Sequence, residues 1–91
     1  MKETQTVEFK QTWKDEYLKT ICAFANSDGG SLYIGLDDNG KAVGIDNAKA
    51  LIEILPNKIN NKLGLLVDIF LHKKDNLEYI EIRVKIGRAH V

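Results

Sequence analysis

Several residue types are nearly missing from this chain. Its 91 residues include one cysteine, one proline, one tryptophan and one methionine. The lone cysteine, Cys22, excludes an intramolecular disulfide and makes a reducing, cytoplasmic setting the expected one. No apolar run approaches the roughly 20 residues that a membrane helix needs. Met1-Lys2-Glu3-Thr4-Gln5 leads into no apolar stretch of signal-peptide kind, so no membrane partner is expected. Neither sign of charge is in excess, with 13 basic and 13 acidic residues, which argues against a strong, indiscriminate binder of nucleic acid. The chain is also too short for a two-lobed enzyme or an eight-fold barrel. A chain of this size buries about 64% of its extended surface, enough for one modest core.

What is present is ordinary globular composition, 44% hydrophobic and 29% charged. The charge is unevenly spread. Residues 1–56 hold six basic and nine acidic side chains, a net of −3, and residues 57–91 hold seven and four, a net of +3. There is no repeat, linker or low-complexity tract.

Periodicity predicts an α+β domain over residues 1–86, in the order strand, helix, strand, strand, helix, strand, strand, with the helices packed on a mixed sheet. Thr6 to Lys10 alternate, with Val7 and Phe9 on one face and Glu8 and Lys10 on the other. Thr12 and Asp15 have capping-box spacing ahead of a helix over 13–26, whose apolar face is Trp13, Tyr17, Ile21 and Ala25. Asn26, Gly29 and Gly30 form the expected turn after it. Ser31 to Leu36 read as a buried strand, Asn39-Gly40 as a two-residue hairpin loop, and Ala42 to Ile45 as the return strand. Asp46 or Asn47 can cap a second helix carrying Leu51, Leu55, Ile59 and Leu63, which Pro56 should kink or split. Two strands close the domain, Leu65 to Leu71 and Leu77 to Ile86, joined through Lys73-Lys74-Asp75-Asn76. In the last, Ile80, Ile82, Val84 and Ile86 form a buried face and Glu81, Arg83 and Lys85 a wet one. Residues 87–91 lack periodicity and read as an unstructured end or a cloning remnant.

The segment from Gly35 to Ala42 approaches the phosphate-cradling spacing G-x-x-x-x-G-K-[ST]. Ala42 replaces the metal-binding hydroxyl, Asp37 and Asp38 would repel phosphate, and a strand rather than a helix is expected next, so no ATP site is expected. Glu3, Glu8, Asp37 and Asp38 fall at the ends of the first two strands. Converging at one sheet edge, they could hold Mg²⁺ or Mn²⁺ and activate water against a phosphodiester; left apart, they are solvated acids. His72 reads as a surface residue and Cys22 as core, and no histidine accompanies Ser27 or Ser31 to make a nucleophile. Lys58, Lys62, Lys73, Lys74, Arg83 and Lys85 are cations that could follow a phosphate backbone, or simply solvate the surface.

Taken in order, Val7-Glu8-Phe9-Lys10, Ala23-Phe24-Ala25-Asn26 leading to Gly29-Gly30, Ile34-Gly35-Leu36-Asp37-Asp38-Asn39-Gly40 and Val43-Gly44-Ile45 resemble the Schlafen-type AlbA-like domain. The resemblance covers most of residues 3–86. It implies a DNA- or RNA-binding module, non-enzymatic by itself, at the N-terminus of a longer transcriptional regulator or helicase-related protein. In animal Schlafen proteins a related fold cleaves RNA with three acids on a divalent metal. Glu3 and Glu8 match the E-x-x-x-x-E-F-K run of the first two, and Asp38 aligns with the third. That makes a Mg²⁺- or Mn²⁺-dependent nuclease the alternative expectation. The family normally continues past the last strand, so the chain reads as truncated, and its sheet edge is a place where a homo-oligomer could form.

Overall fold

In a computed structural model, residues 1–87 are described. Strand β1 (Val7–Lys10) leads through a 3₁₀ turn (Asp15–Tyr17) into helix α1 (Leu18–Ala25). Strand β2 (Gly30–Ile34), helix α2 (Ala48–Leu63), strand β3 (Asp68–Lys74) and strand β4 (Leu77–Val84) follow. The four strands form one mixed sheet in the order β1-β2-β4-β3. β1 runs parallel to β2, which the crossover through α1 requires, and the other two pairings are antiparallel.

Both helices pack on one face of this sheet. Ile21, Phe24 and Ala25 of α1 and Leu51, Leu55, Ile59 and Leu63 of α2 are buried against Leu32, Ile34, Ile80, Ile82 and Val84. The spacing of four along α2 turns all its buried leucines and isoleucines to one side, each worth about 1.5–3 kcal/mol of burial. Phe9 is the exception. It pairs in register with Tyr33, on the face without helices, and is buried there against the edge of the Tyr33 ring. The Gly40 Cα lies so near the Phe9 ring and the Met1 carbonyl that a Cβ there would sit 3.1 and 2.9 Å from them. Glu8 and Lys10 consequently point to the helix side, where the Lys10 ammonium lies 4.9 Å from the centre of the Tyr17 ring.

Several local expectations give way to tertiary constraints. The segment 42–45 makes no strand and retains one bridge, Leu36 to Ala42, because both edges of β2 are already taken by β1 and β4. It folds back instead, with the Val43 and Gly44 N–H groups both donating to the Gly35 carbonyl and Ile45 N–H donating to the Glu78 carbonyl. Asn39-Gly40 is not a two-residue loop. The Asp37 carboxylate accepts the N–H groups of Asn39 and Lys41, its carbonyl accepts Gly40 N–H, and only Gly40 of the pair has positive φ. The two-residue hairpin is Asp75-Asn76, at φ 53° and 66°, in the mirror-image turn that matches strand twist.

The first helix begins at Leu18 rather than Trp13, and Thr12 makes no cap. The Asp15 carboxylate is occupied by the Trp13 indole N–H and the Lys58 ammonium, both at 2.9 Å. Asn47 occupies the N-cap position of α2 without a side-chain cap bond. The turn after α1 does use Asn26, Gly29 and Gly30. Gly29 has φ +78° and its N–H donates to the Phe24 carbonyl, and a Cβ on it would lie 2.8 Å from the Val84 carbonyl oxygen. The last strand ends at Val84 with Ile86 exposed, while Gly87 N–H donates to the Ala25 carbonyl. Gly87 is therefore tied to the fold, and the remainder of the expected loose end, 88–91, lies outside the described residues.

Pro56 does not split α2, which runs unbroken from Ala48 to Leu63. Its ring is on the solvent side, but it removes the donor that would serve the Ile52 carbonyl. Pro56→Ala restores that bond and is expected to raise stability by about 2 kcal/mol, or roughly 8–16 °C in Tm. Thermal unfolding followed by circular dichroism measures this directly.

Candidate nucleic-acid interface

The acids at the strand ends do not assemble into a triad. Glu3 and Glu8 come together, because residues 3 and 4 fold back along the outer edge of β1. Thr4 exchanges backbone hydrogen bonds with Val7, and the Glu3 carboxylate accepts the Phe9 N–H at 3.4 Å. Glu3 thus finishes a strand edge. Glu8 is partnered by Lys10 at 3.5 Å. Burial, followed by the hydrogen bond and the charge of Glu3, pushes the Glu8 carboxyl above its ordinary value. Asp38 is exposed on the 37–41 loop. Among the described residues no three His, Cys, Asp or Glu side chains are grouped to hold a metal ion. The residues present do not fit a Mg²⁺ or Mn²⁺ centre on Glu3, Glu8 and Asp38.

The six candidate cations are also divided. Lys58 and Lys62 lie on α2, on the helix side, where the hydrogen bond from Lys58, then that from the Trp13 indole, and lastly the charges of Lys58 and Lys62 hold the Asp15 carboxyl below its ordinary value. Lys73 shares the helix-side register of Leu71 on β3. Lys74 and Arg83 are on the other face, at opposite ends of the β3–β4 pair, and Lys85 lies beyond β4. Gly35 to Ala42 leads into no helix, since α2 starts at Ala48. A cleft of about 720 Å³ lined by Thr12, Trp13, Ile45, Asn47, Asn76 and Glu78 contains none of these candidates.

The face without helices has a more organised surface. In register across the strands it carries Ser31 and Tyr33 from β2, Tyr79, Glu81 and Arg83 from β4, and Asp68, Phe70, His72 and Lys74 from β3. The expected wet face of β4 is thus not simply wet, for Glu81 is 5% exposed. Its carboxylate accepts four hydrogen bonds, from His72 Nε2 at 2.9 Å, Ser31 Oγ at 3.1 Å, and Arg83 Nε and Nη2 at 3.2 and 3.1 Å. A carboxylate only accepts, so the His72 proton sits on Nε2. Burial alone would push the Glu81 carboxyl up. The bonds from His72, Ser31 and Arg83 outweigh it and hold the carboxyl below its ordinary value. Burial and the Glu81 charge raise the neighbouring Tyr33 phenol, keeping it protonated.

Around this carboxylate the rings form a continuous surface. His72 stacks on Tyr79 at 5.0 Å between centroids and 26° between planes, and Tyr33 lies 6.5 and 6.4 Å from them. The Arg83 guanidinium lies 4.6 Å from the centre of the Phe70 ring. Sequence reasoning placed Arg83 and Lys74 among the binding residues but missed Tyr33, Phe70, Tyr79 and Glu81, and left His72 on the surface. The available signal was the Asp75-Asn76 turn. A two-residue loop pairs Lys74 with Leu77 and thereby fixes His72 opposite Tyr79 and Phe70 opposite Glu81.

Two stability measurements test these assignments. Glu81→Ala leaves four donor groups on three side chains unmatched and should cost about 2 kcal/mol, or roughly 8–16 °C in Tm. Because the folded carboxyl sits below its unfolded value, its contribution is complete above about pH 4.5 and is lost as pH falls through the folded value. The gap between wild type and Glu81→Ala should therefore narrow in acid. Glu8 has the opposite sign. Its folded value is raised, so its stabilising state is the protonated one, lost as pH rises. Glu8→Gln should gain about 0.5 kcal/mol, or roughly 2–4 °C, at pH 7 and nothing at acid pH.

The comparisons with known proteins agree with this fold. The DIP2311 protein from Corynebacterium diphtheriae superposes with a TM-score of 0.73 at 22% identity, over 96% of this chain and 19% of that one. The N-terminal domain of a RecG-related protein from Nitrosomonas europaea superposes with a TM-score of 0.78 at 22% identity, over 96% of this chain and 67% of that one. The chain thus spans about a fifth of the first and two thirds of the second. The family model described as Schlafen, AlbA_2 matches residues 3–91. With the E-F-K strand, the Asn26–Gly30 turn and the Asp-Asp-Asn-Gly loop in their places, this chain belongs to the Schlafen AlbA_2 family.

Proposed function

We propose that this domain is the nucleic-acid-binding module of a larger transcriptional regulator or helicase-related protein, and that it binds through the sheet face opposite the helices. One observation carries the reading: Tyr33, Phe70, His72 and Tyr79 share that face with Arg83, and the guanidinium already lies over a ring. Bases offer π-faces whatever their sequence, and stacking on an aromatic side chain contributes about 1–3 kcal/mol per base. Strands are rigid supports, so the rings need little reordering when a base arrives. Arg83 and Lys74, at the two ends of the β3–β4 pair, are spaced along the face to meet a phosphate backbone. The zero net charge fits a binder that relies on ring contact as much as on charge. The Nitrosomonas neighbour carries a name that relates it to a DNA helicase, which supports the reading.

Fluorescence anisotropy with labelled single-stranded DNA, single-stranded RNA and duplex DNA tests this. Binding to at least one is expected, weakening as salt rises through counterion release. Phe70→Ala and Tyr79→Ala should each weaken it about 5- to 150-fold, the equivalent of one lost stack. Full binding by both variants, with loss on Lys58→Ala and Lys62→Ala, would move the interface to the helix side and falsify this reading.

A further inference from the structure

The two edges of the sheet are finished very differently. Along β1 the outward backbone groups are occupied, Val7 by Thr4 and the Phe9 N–H by the Glu3 carboxylate. Along β3, the other edge, seven residues from Asp68 to Lys74 hydrogen-bond within the sheet to β4 alone among the described residues. Among the described residues no helix or loop pairs with it, and charge is its one protective device. It contains no proline and no bulge, its register with β4 is unbroken over all seven residues, and its only lysines stand at one end. Its middle is apolar, with Phe70 38% and Leu71 44% exposed.

We propose that this edge pairs with the same edge of a second copy of the chain, antiparallel about a two-fold axis at Leu71, to give one continuous eight-stranded sheet. This goes beyond the nucleic-acid reading and does not depend on it. The register follows from the strand itself. A two-fold pairing that keeps the helices of both copies on one side must pivot on a residue, and only a pivot at Leu71 pairs all seven positions. That register sets Asp68 opposite Lys74 and Phe70 opposite His72, twice each, on the ring-bearing face. Leu71 meets its own copy on the helix side. Neither Asp68 nor Lys74 makes an ion pair among the described residues, so each is available to the other across the axis. Opposite charges and aromatic pairs directly across antiparallel strands are stabilising, and like charges there are destabilising. A pivot moved to Phe70 or His72 loses both charge pairs within the strand. The chosen partner is a second copy because the strand is complementary to itself, acid at one end and base at the other. Pairing would also join the two ring-bearing faces edge to edge.

Sedimentation equilibrium of the 91-residue chain over a wide concentration series tests this. The expected result is a monomer–dimer equilibrium with twice the monomer mass at the upper end. Asp68→Lys and Lys74→Asp should each abolish the dimer, by setting like charges opposite one another twice, and the double variant Asp68→Lys/Lys74→Asp should restore it. Circular dichroism of each variant checks that the fold is retained. A wild-type chain that stays monomeric throughout overturns the proposal. So does a dimer that survives both single reversals, which would locate the contact elsewhere, or a folded double variant that fails to dimerise. Nucleic-acid binding measured on Asp68→Lys, which removes no side chain of the proposed binding surface, separates the two readings, since a folded monomer that still binds leaves the ring face intact.

Discussion

Both helices lie on one side of the sheet, so side chains on the other side can be buried only against one another and against the loop over Phe9. A carboxylate in that position costs several kcal/mol unless its lone pairs are matched. Glu81 meets the condition with four donors drawn from three strands, Ser31 on β2, His72 on β3 and Arg83 on its own strand. The cost of the buried charge and the order of the face are therefore one matter. The same hydrogen bonds that keep Glu81 ionised hold the imidazole against Tyr79 and the guanidinium over Phe70. Without the carboxylate, the face would be a set of independent rotamers instead of a fixed surface.

The division between what was legible in the sequence and what was not follows the range of the interactions. Helix α2 was legible because Leu51, Leu55, Ile59 and Leu63 encode their own face. The Asn26–Gly30 turn was legible because positive φ and the approach of the Val84 carbonyl leave no room for a Cβ at Gly29. The return strand over 42–45 was misread because its local signal was sound and its partner was taken. Central β2 pairs with β1 and with β4, a strand 50 residues away. Pro56 was read as a kink or a split, and the split does not occur because propensity is local, whereas the helix is held by tertiary packing of its apolar stripe.

The candidate site shows the same limit more sharply. On the last strand the alternation of Glu81 and Arg83 was legible, yet alternation alone gave Glu81 the wrong meaning, a solvated residue. What turns Glu81 from a wet residue into a buried anchor is the arrival of Ser31 and His72 from the two neighbouring strands. The acids went the other way. Glu3 and Glu8 resemble a catalytic pair in sequence, and in space Glu3 is spent on the outer edge of β1 while Asp38 stays on its loop.

Strand order also sets how this domain comes into being. β4 is the last of the described elements and lies inside the sheet, between β2 and β3. Until it is made, β2 has an open edge, β3 has no partner, and the apolar stripes of both helices face an unfinished surface. Loop closure over so long a separation is slow compared with local helix formation. On the ribosome the elements from β1 through β3 must therefore wait as an incomplete core, and folding becomes nearly all-or-none when β4 inserts between β2 and β3. A chain cut before Val84 would lose the middle of its sheet, not its fringe.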